Sequence, residues 1–152
     1  MSDYRIESIN RQAAIPIDTA ALEAAAAQVL KSESIASAEV SIAVVDSAEM
    51  RRLNNQYLSH DYDTDVLSFL LDEVESSIGE RTIEGEVIVS AGMANQQATN
   101  FGWTTNDELS LYVVHGTLHL CGYDDQTPDL KAQMRKQEIK NLAALGLTPK
   151  YA

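Results

Sequence analysis

The amino-acid sequence predicts an α+β domain in which a small mixed sheet of four strands packs against about five helices. Strand and helix patterns alternate through the first ninety residues, and helical patterns fill the remainder of the chain. The stretch from Leu109 to Cys121 contains no Asp, Glu, Lys or Arg, so it predicts a helix that is buried on nearly all sides. We therefore expect a buried central helix between the sheet and the other helices.

The first half of the chain contains a strand, a helix, a second strand and a second helix. Residues 4–9 alternate loosely and predict a strand, and Asp18 caps an alanine-rich helix that runs to about Lys31. Residues 39–45 alternate small or charged residues with valine and isoleucine, which is typical of a strand, and Asp46 caps the helix that follows.

Two more strands follow, and three helices complete the chain. Residues 66–71 predict a buried third strand and residues 86–90 a fourth, while the polar segment 72–84 between them is interpreted as a loop. The predicted helices cover 91 to about 100, about 105 to 121, and 129–145. The middle helix has a capping-box pattern from Thr105 to Glu108, and Gly122 is the residue type that ends helices in the left-handed conformation.

The middle helix carries a candidate metal site. His115 and His119 are four residues apart, so a helix places both rings on one face, with Cβ atoms roughly 5–6 Å apart. After Gly122 reverses the chain, Asp125 can return to that face as a third ligand. Three protein ligands leave a fourth position open for water, which is typical of catalytic zinc. The alternative is that both histidines are hydrogen-bonded core residues, but two imidazoles on one buried face need a common partner.

The same spacing occurs in the zinc motif of metzincin proteases, His-Glu-x-x-His-x-x-Gly-x-x-His. Asp125 in place of the third histidine is an acceptable zinc ligand. Gly116 stands where those proteases have the glutamate that acts as general base, and glycine cannot accept a proton. The sequence therefore disfavours a metalloprotease.

Composition predicts one soluble domain that spans residues 1–152. The chain is 45% apolar and 22% charged, and it contains neither a signal-peptide pattern nor an apolar run long enough to span a membrane. A single cysteine agrees with a reducing, cytoplasmic location. The net charge of −12 disfavours nucleic-acid binding, although a bound metal and a few basic residues would offset it locally. These basic residues are Arg51, Arg52, Lys131, Arg135, Lys136 and Lys140.

At these motifs the chain resembles the YbeY endoribonucleases, a family of bacterial rRNA maturation factors. Residues 115–125 read HGTLHLCGYDD, close to the family signature His-Gly-x-Leu-His-Leu-x-Gly-Tyr-Asp-His. Residues 53–69 read LNNQYLSHDYDTDVLSF and resemble a second family block. The resemblance extends over about 50–138. Three positions differ from the family pattern: Asp125 replaces the third histidine ligand, Leu58 replaces an active-site arginine, and Asp63 replaces a proline.

The resemblance implies a metal-dependent endoribonuclease that is specific for single-stranded RNA and acts on rRNA at the ribosome. It implies one zinc ion per chain, held by His115, His119 and Asp125. The third strand would border the same cleft and hold an extended substrate, with Asp65 and Ser68 as the polar residues there. The remaining candidates are Arg52, for binding RNA, and His60, which could protonate the leaving oxygen because histidine is the side chain best suited to exchange protons near neutral pH. The alternative function is a ribosome- or protein-binding factor whose metal is structural.

Overall fold

The computed structural model describes residues 3–149, which contain four strands and five helices. The elements in chain order are β1 (Asp3–Asn10), α1 (Thr19–Ser32), β2 (Ser37–Val45), α2 (Ser47–Leu58), β3 (Val66–Glu75), β4 (Arg81–Ser90), α3 (Ala91–Phe101), α4 (Thr105–Leu120) and α5 (Pro128–Ala144). The predicted fold class, α+β with a four-stranded mixed sheet, is confirmed. The ends of the predicted single domain lie outside the described residues, so its span of 1–152 stays a prediction.

The sheet has the strand order β1-β2-β4-β3. The first three of these strands are parallel to one another, and β3 pairs antiparallel with β4 at the edge of the sheet. Helix α2 packs on one face over a small cluster that contains Met50 and Leu67. The opposite face contacts α4 and belongs to the main core, with Val87 and Val89 fully buried.

The hairpin between β3 and β4 corrects two predictions. Residues 72–84 are mostly strand, because β3 continues to Glu75 and β4 begins at Arg81. The predicted burial of residues 66–71 is wrong as well: Leu67 is 5% exposed, but Leu70 and Leu71 are 47% and 55% exposed. Both errors have one physical cause, since an edge strand can carry charged residues and leave much of its surface in solvent.

The caps predicted at the first two helices are present. The carboxylate of Asp18 accepts from the backbone N–H of Ala21, and that of Asp46 accepts from Glu49. The capping box of α4 begins one residue earlier than predicted, at Thr104, whose hydroxyl accepts from the N–H of Asp107 at 3.0 Å. The shift matters because the glutamate at 108 does not serve the cap and its side chain is buried.

Helix α4 is the most deeply buried helix among the described residues, with eleven of its sixteen residues buried. It approaches the sheet closely at Gly116, where a Cβ atom would come within 2.7 Å of Val87 and 2.8 Å of the Ser68 hydroxyl. Any side chain at Gly116 would therefore push the helix off the sheet. No helix within residues 3–149 is long and apolar enough to cross a membrane.

Candidate metal centre and cleft

The structure brings the three predicted metal ligands together. The Nε2 atoms of His115 and His119 lie 3.1 Å apart. A carboxylate oxygen of Asp125 lies 3.5 Å from the first of these nitrogens and 3.8 Å from the second. Among the described residues, no other group of three His, Cys, Asp or Glu side chains converges so closely.

Local backbone geometry explains this convergence. The histidines are separated by one helical turn of α4, so their rings extend from the same face. The helix ends at Cys121, and Gly122 follows with φ of +108°, a conformation that favours glycine. The backbone N–H of Tyr123 then donates to the carbonyl of Leu118, which turns the chain back beside its own helix. This turn carries Asp125 to the histidines.

The other ring nitrogen of each histidine is already engaged. His119 Nδ1 lies 2.9 Å from the carbonyl oxygen of Tyr123, and a carbonyl only accepts, so Nδ1 carries the proton. His115 Nδ1 lies 3.1 Å from a carboxylate oxygen of Glu138, whose side chain is buried. With both Nδ1 atoms donating, both Nε2 atoms direct lone pairs to the same point. Such a pair of lone pairs suits a bound cation.

The donor set and its spacing fit zinc. In a tetrahedral site with bonds of about 2.0–2.1 Å, neighbouring ligand atoms lie roughly 3.3–3.4 Å apart. The three observed separations, 3.1, 3.5 and 3.8 Å, bracket that value. Two imidazole nitrogens and one carboxylate oxygen form a common set of protein ligands in catalytic zinc sites.

The electrostatic surroundings of His115 also favour positive charge. Burial opposes a charged ring, but the hydrogen bond and the charge of Glu138 outweigh burial and raise the pKa of His115. Two further carboxylates, Asp65 and Asp125, act in the same direction. The field that favours a proton on this ring would also favour a metal cation beside it.

Two of the predicted metal ligands, His115 and Asp125, line a cavity of about 480 Å³. Its walls come from α3, α4, α5 and the loop before β3. Two cationic side chains of α5, Lys131 and Arg135, line it as well. The cavity therefore places two cations near the candidate metal centre, together with the carboxylates of Asp63, Asp65, Glu108 and Glu138.

Comparison with known proteins assigns this chain to a family. The family model described as Endoribonuclease YbeY matches residues 7–146. The chain belongs to the YbeY family. A relative named Endoribonuclease YbeY from Pelotomaculum thermopropionicum is 41% identical over 145 residues, covering 91% of this chain and 95% of its own length. Another of that name, from Salinibacter ruber, is 39% identical and covers 88% of this chain and 87% of its own.

A solved structure agrees with this assignment. The solution structure of a Thermotoga maritima protein aligns with a TM-score of 0.59 at 26% sequence identity. The alignment covers 94% of this chain and 91% of the other. The fold of this YbeY family member is thus similar to one seen by experiment.

Four other residues were predicted to contribute to the YbeY-like site, and two of them lie at or beside the cavity. Asp65 lines the cavity, and its carboxylate accepts from the backbone N–H of Val66 at 2.8 Å. The hydroxyl of Ser68 donates to the carbonyl of Gly116 at 3.0 Å, so it joins β3 to α4.

The other two residues lie elsewhere. Arg52 pairs with Glu49 at 2.7 Å and lines an open groove between α2 and the sheet. His60 is exposed and stacks on Tyr62, with ring centroids 5.2 Å apart. The structure therefore does not bring Arg52 or His60 into the cavity.

Sequence reasoning missed two acidic residues of this site. Glu138, which holds His115, is 23 residues from it in the chain, and only folding reveals their contact. A signal was present, since Glu138 lies four residues after Met134 on the apolar face of α5. Glu108 was assigned to a cap, although its side chain lines the cavity.

Proposed function

We propose that this YbeY family member is a zinc-dependent endoribonuclease. It cleaves single-stranded RNA during rRNA processing, in the cytoplasm and at the ribosome, and uses one zinc ion per chain. The observation that carries this proposal is the convergence of two imidazole Nε2 atoms and a carboxylate beside a cavity that Lys131 and Arg135 also line. Relatives named Endoribonuclease YbeY support the substrate class.

The protein's own residues have distinct tasks in this proposal. His115, His119 and Asp125 hold the metal, while Glu138 and the Tyr123 carbonyl fix the two rings in the tautomer that leaves Nε2 free. A bound zinc ion supplies Lewis acidity, since it polarises a phosphoryl oxygen and lowers the pKa of water.

The cationic side chains of α5 offset the loss of the family arginine. Leu58, which stands in its place, is 49% exposed at the end of α2 and does not line the cavity. Lys131 and Arg135 line the same cavity as His115 and Asp125, where they can stabilise charge that develops on a phosphoryl group. The roles assigned to His60 and Arg52 stay predictions. Because both residues lie outside the cavity, they would contact a more distant part of the RNA.

A ribosome- or protein-binding factor is the second candidate, and one observation favours it. The groove beside α2 measures about 780 Å³, and its rim includes Tyr57 and Leu71, each more than half exposed. Exposed apolar side chains of this kind are common at protein interfaces. In this alternative the metal only stabilises the fold. A metalloprotease has no comparable support, because position 116 has no room for a glutamate.

Cleavage assays on matched variants separate these candidates. The protein is purified without chelator, its zinc content is measured, and single-stranded and duplex RNA of one sequence are incubated with it. We expect cleavage of the single strand that chelation abolishes, loss of that cleavage in Asp125→Ala, and full cleavage by the control Leu71→Ala on the other face of the sheet. Zinc at one equivalent without cleavage by any of these proteins would favour the binding factor.

A further inference from the structure

The cavity extends beyond the metal ligands along α4. Glu108, Tyr112 and His115 follow one another at intervals of four and three residues, so they share one face of the helix, and all three line the cavity. Seven residues of helix separate Glu108 from His115, a distance of about 10 Å. This length suits a single nucleotide whose phosphate lies at the metal and whose base extends inward.

The inner end of the cavity holds a buried carboxylate. Glu108 is 3% exposed, and one of its oxygens accepts from the indole N–H of Trp103 at 2.8 Å. Burial raises the pKa of Glu108, although the hydrogen bond from Trp103 opposes the rise. A carboxylate can accept about four hydrogen bonds, so Glu108 still has capacity for donors from a ligand.

Tyr112 provides a second observation. The residue is 4% exposed, and its buried hydroxyl lies beside the Glu108 carboxylate, with which it interacts by charge and by a hydrogen bond that lies outside normal geometry. Buried tyrosine hydroxyls normally have a well-placed partner. Because Tyr112 lines the cavity, a bound molecule can supply a better-placed acceptor for this hydroxyl.

The remaining walls suit a flat, uncharged ring. Met93, Phe101 and Leu111 contribute apolar surface to the same cavity, and bases bind single-strand sites by stacking on side chains of this kind. The negative charge of three carboxylates makes this region unfavourable for a phosphate; they belong to Asp63, Asp65 and Glu108. These three carboxylates do not converge as metal ligands would, since the described residues contain one such group and it is the histidine site.

We propose that Glu108 and Tyr112 form a nucleobase subsite that selects the amino bases adenine and cytosine over uracil. The exocyclic amino group donates to Glu108, and the Tyr112 hydroxyl donates to the neighbouring ring nitrogen. Uracil has no exocyclic amino group, so it places a carbonyl oxygen against the Glu108 carboxylate and an N–H where the acceptor is needed. This subsite rests on the proposed function, because it assigns a base to the RNA whose phosphate lies at the metal.

Base selectivity in cleavage is the first test. Four single-stranded RNAs are compared that contain only uridine except for one central position, which is A, C, G or U. We expect kcat/KM for cleavage beside the central residue to be about tenfold or more higher for A and C than for U, the effect of one lost hydrogen bond and one unpaired buried group. Tyr112→Phe should reduce this preference to a few-fold while zinc content stays unchanged.

Glu108→Gln gives a sharper result. The Trp103 indole N–H keeps the amide oxygen of the new side chain as its acceptor, so the amide NH₂ group faces the cavity and can donate to a keto oxygen. We expect the preference to shift toward U. Leu71→Ala, on the opposite face of the sheet, should keep the preference for A and C.

Nucleotide binding separates this inference from the proposed function. Calorimetry with zinc-loaded protein compares adenosine and uridine 5′-monophosphates, which bind without being cleaved. The subsite is supported if the adenosine nucleotide binds more tightly than the uridine nucleotide and Tyr112→Phe abolishes this difference in affinity. This result would support the subsite even if no RNA is cleaved and the proposed function fails. Equal affinities for the two nucleotides, or a preference that both Tyr112→Phe and Glu108→Gln retain, would overturn the subsite while leaving any observed cleavage intact.

Discussion

Each face of the sheet carries a concave surface, and the two surfaces differ in how deeply their polar side chains are buried. The groove beside α2 is the larger, about 780 Å³ against about 480 Å³, and it contains an ion pair near the surface, between Arg52 and Glu49. The cavity on the α4 side is smaller but contains buried polar side chains, among them Glu108 and Glu138.

This difference shows that volume is a poor guide to a catalytic site. An exposed ion pair contributes little to stability and does not require a ligand. Buried acceptors and lone pairs that face one another are costly unless a ligand or ion completes them, so the protein keeps them only where they are used. The comparison predicts that polar substitutions on the α4 side will affect function far more than substitutions in the groove.

The largest effect should come from removing a metal ligand. Alanine at His115, His119 or Asp125 leaves two ligands, so we expect loss of zinc. RNA cleavage should fall by more than about 10³-fold, because the metal lowers the activation barrier by several kcal/mol. The melting temperature should fall by several degrees, because only the folded state binds the metal. Elemental analysis and thermal melts measure both effects. Full zinc occupancy in Asp125→Ala would show that the third ligand is another group.

The second effect concerns the departures from the family pattern. The double variant Leu58→Arg with Asp125→His removes a negative charge from the candidate metal centre and adds a guanidinium at the end of α2, outside the cavity. If the long arginine side chain reaches the cavity, cleavage of single-stranded RNA should rise by about 10²–10³-fold. Kinetics of the double variant and of both single variants test this. If His60 already replaces the arginine, His60→Ala should abolish cleavage in the parent but not in the double variant. An equal loss in both would exclude that role for His60.

Glu138 should have an intermediate effect that reports on positioning. Glu138→Ala removes the acceptor for His115 Nδ1, and loss of such an outer hydrogen bond lowers metal affinity by about 10–100-fold. Zinc competition against a chromogenic chelator measures this change. Glu138→Gln retains an acceptor oxygen and should recover most of the affinity. A Gln variant as weak as the Ala variant would mean that charge, and not hydrogen bonding, determines the effect of Glu138.

The smallest effect is a change in the pH dependence of stability. The folded-state pKa of Glu108 lies above its unfolded value, so the native state binds more protons and stability falls as pH rises through that interval. Glu108→Gln removes this penalty. We expect the variant to melt a few degrees higher than the parent at pH 8, with the difference disappearing below pH 4. A difference independent of pH would indicate a packing effect instead.

The sequence predicted local features better than distant ones. The convergence of His115, His119 and Asp125 could be predicted because it follows from one helical turn and one glycine, and helix caps depend on adjacent residues. The hairpin of β3 and β4 was missed because the charges at Asp72, Glu73 and Glu75 resemble a loop, and only the sheet order shows that they lie on an edge strand.

The cavity depends on contacts that no local pattern encodes. Glu138 reaches His115 from another helix, and the position of Glu108 follows from a capping box that begins one residue earlier than predicted. His60 and Arg52 were chosen for their chemistry alone, and the fold places both outside the cavity. The chemical type of a side chain indicates a functional role only when its burial and its neighbours are known as well.

A zinc titration tests the central claim most directly. Chelator-treated protein is mixed with increasing zinc, and the initial rate of single-stranded RNA cleavage is measured at each ratio. The rate should start near zero, rise in proportion to zinc and level off at one equivalent per chain, while Asp125→Ala stays inactive throughout. Cleavage that persists in the stripped protein, or that is absent when one zinc is bound, would contradict the assignment of this site as a catalytic zinc centre.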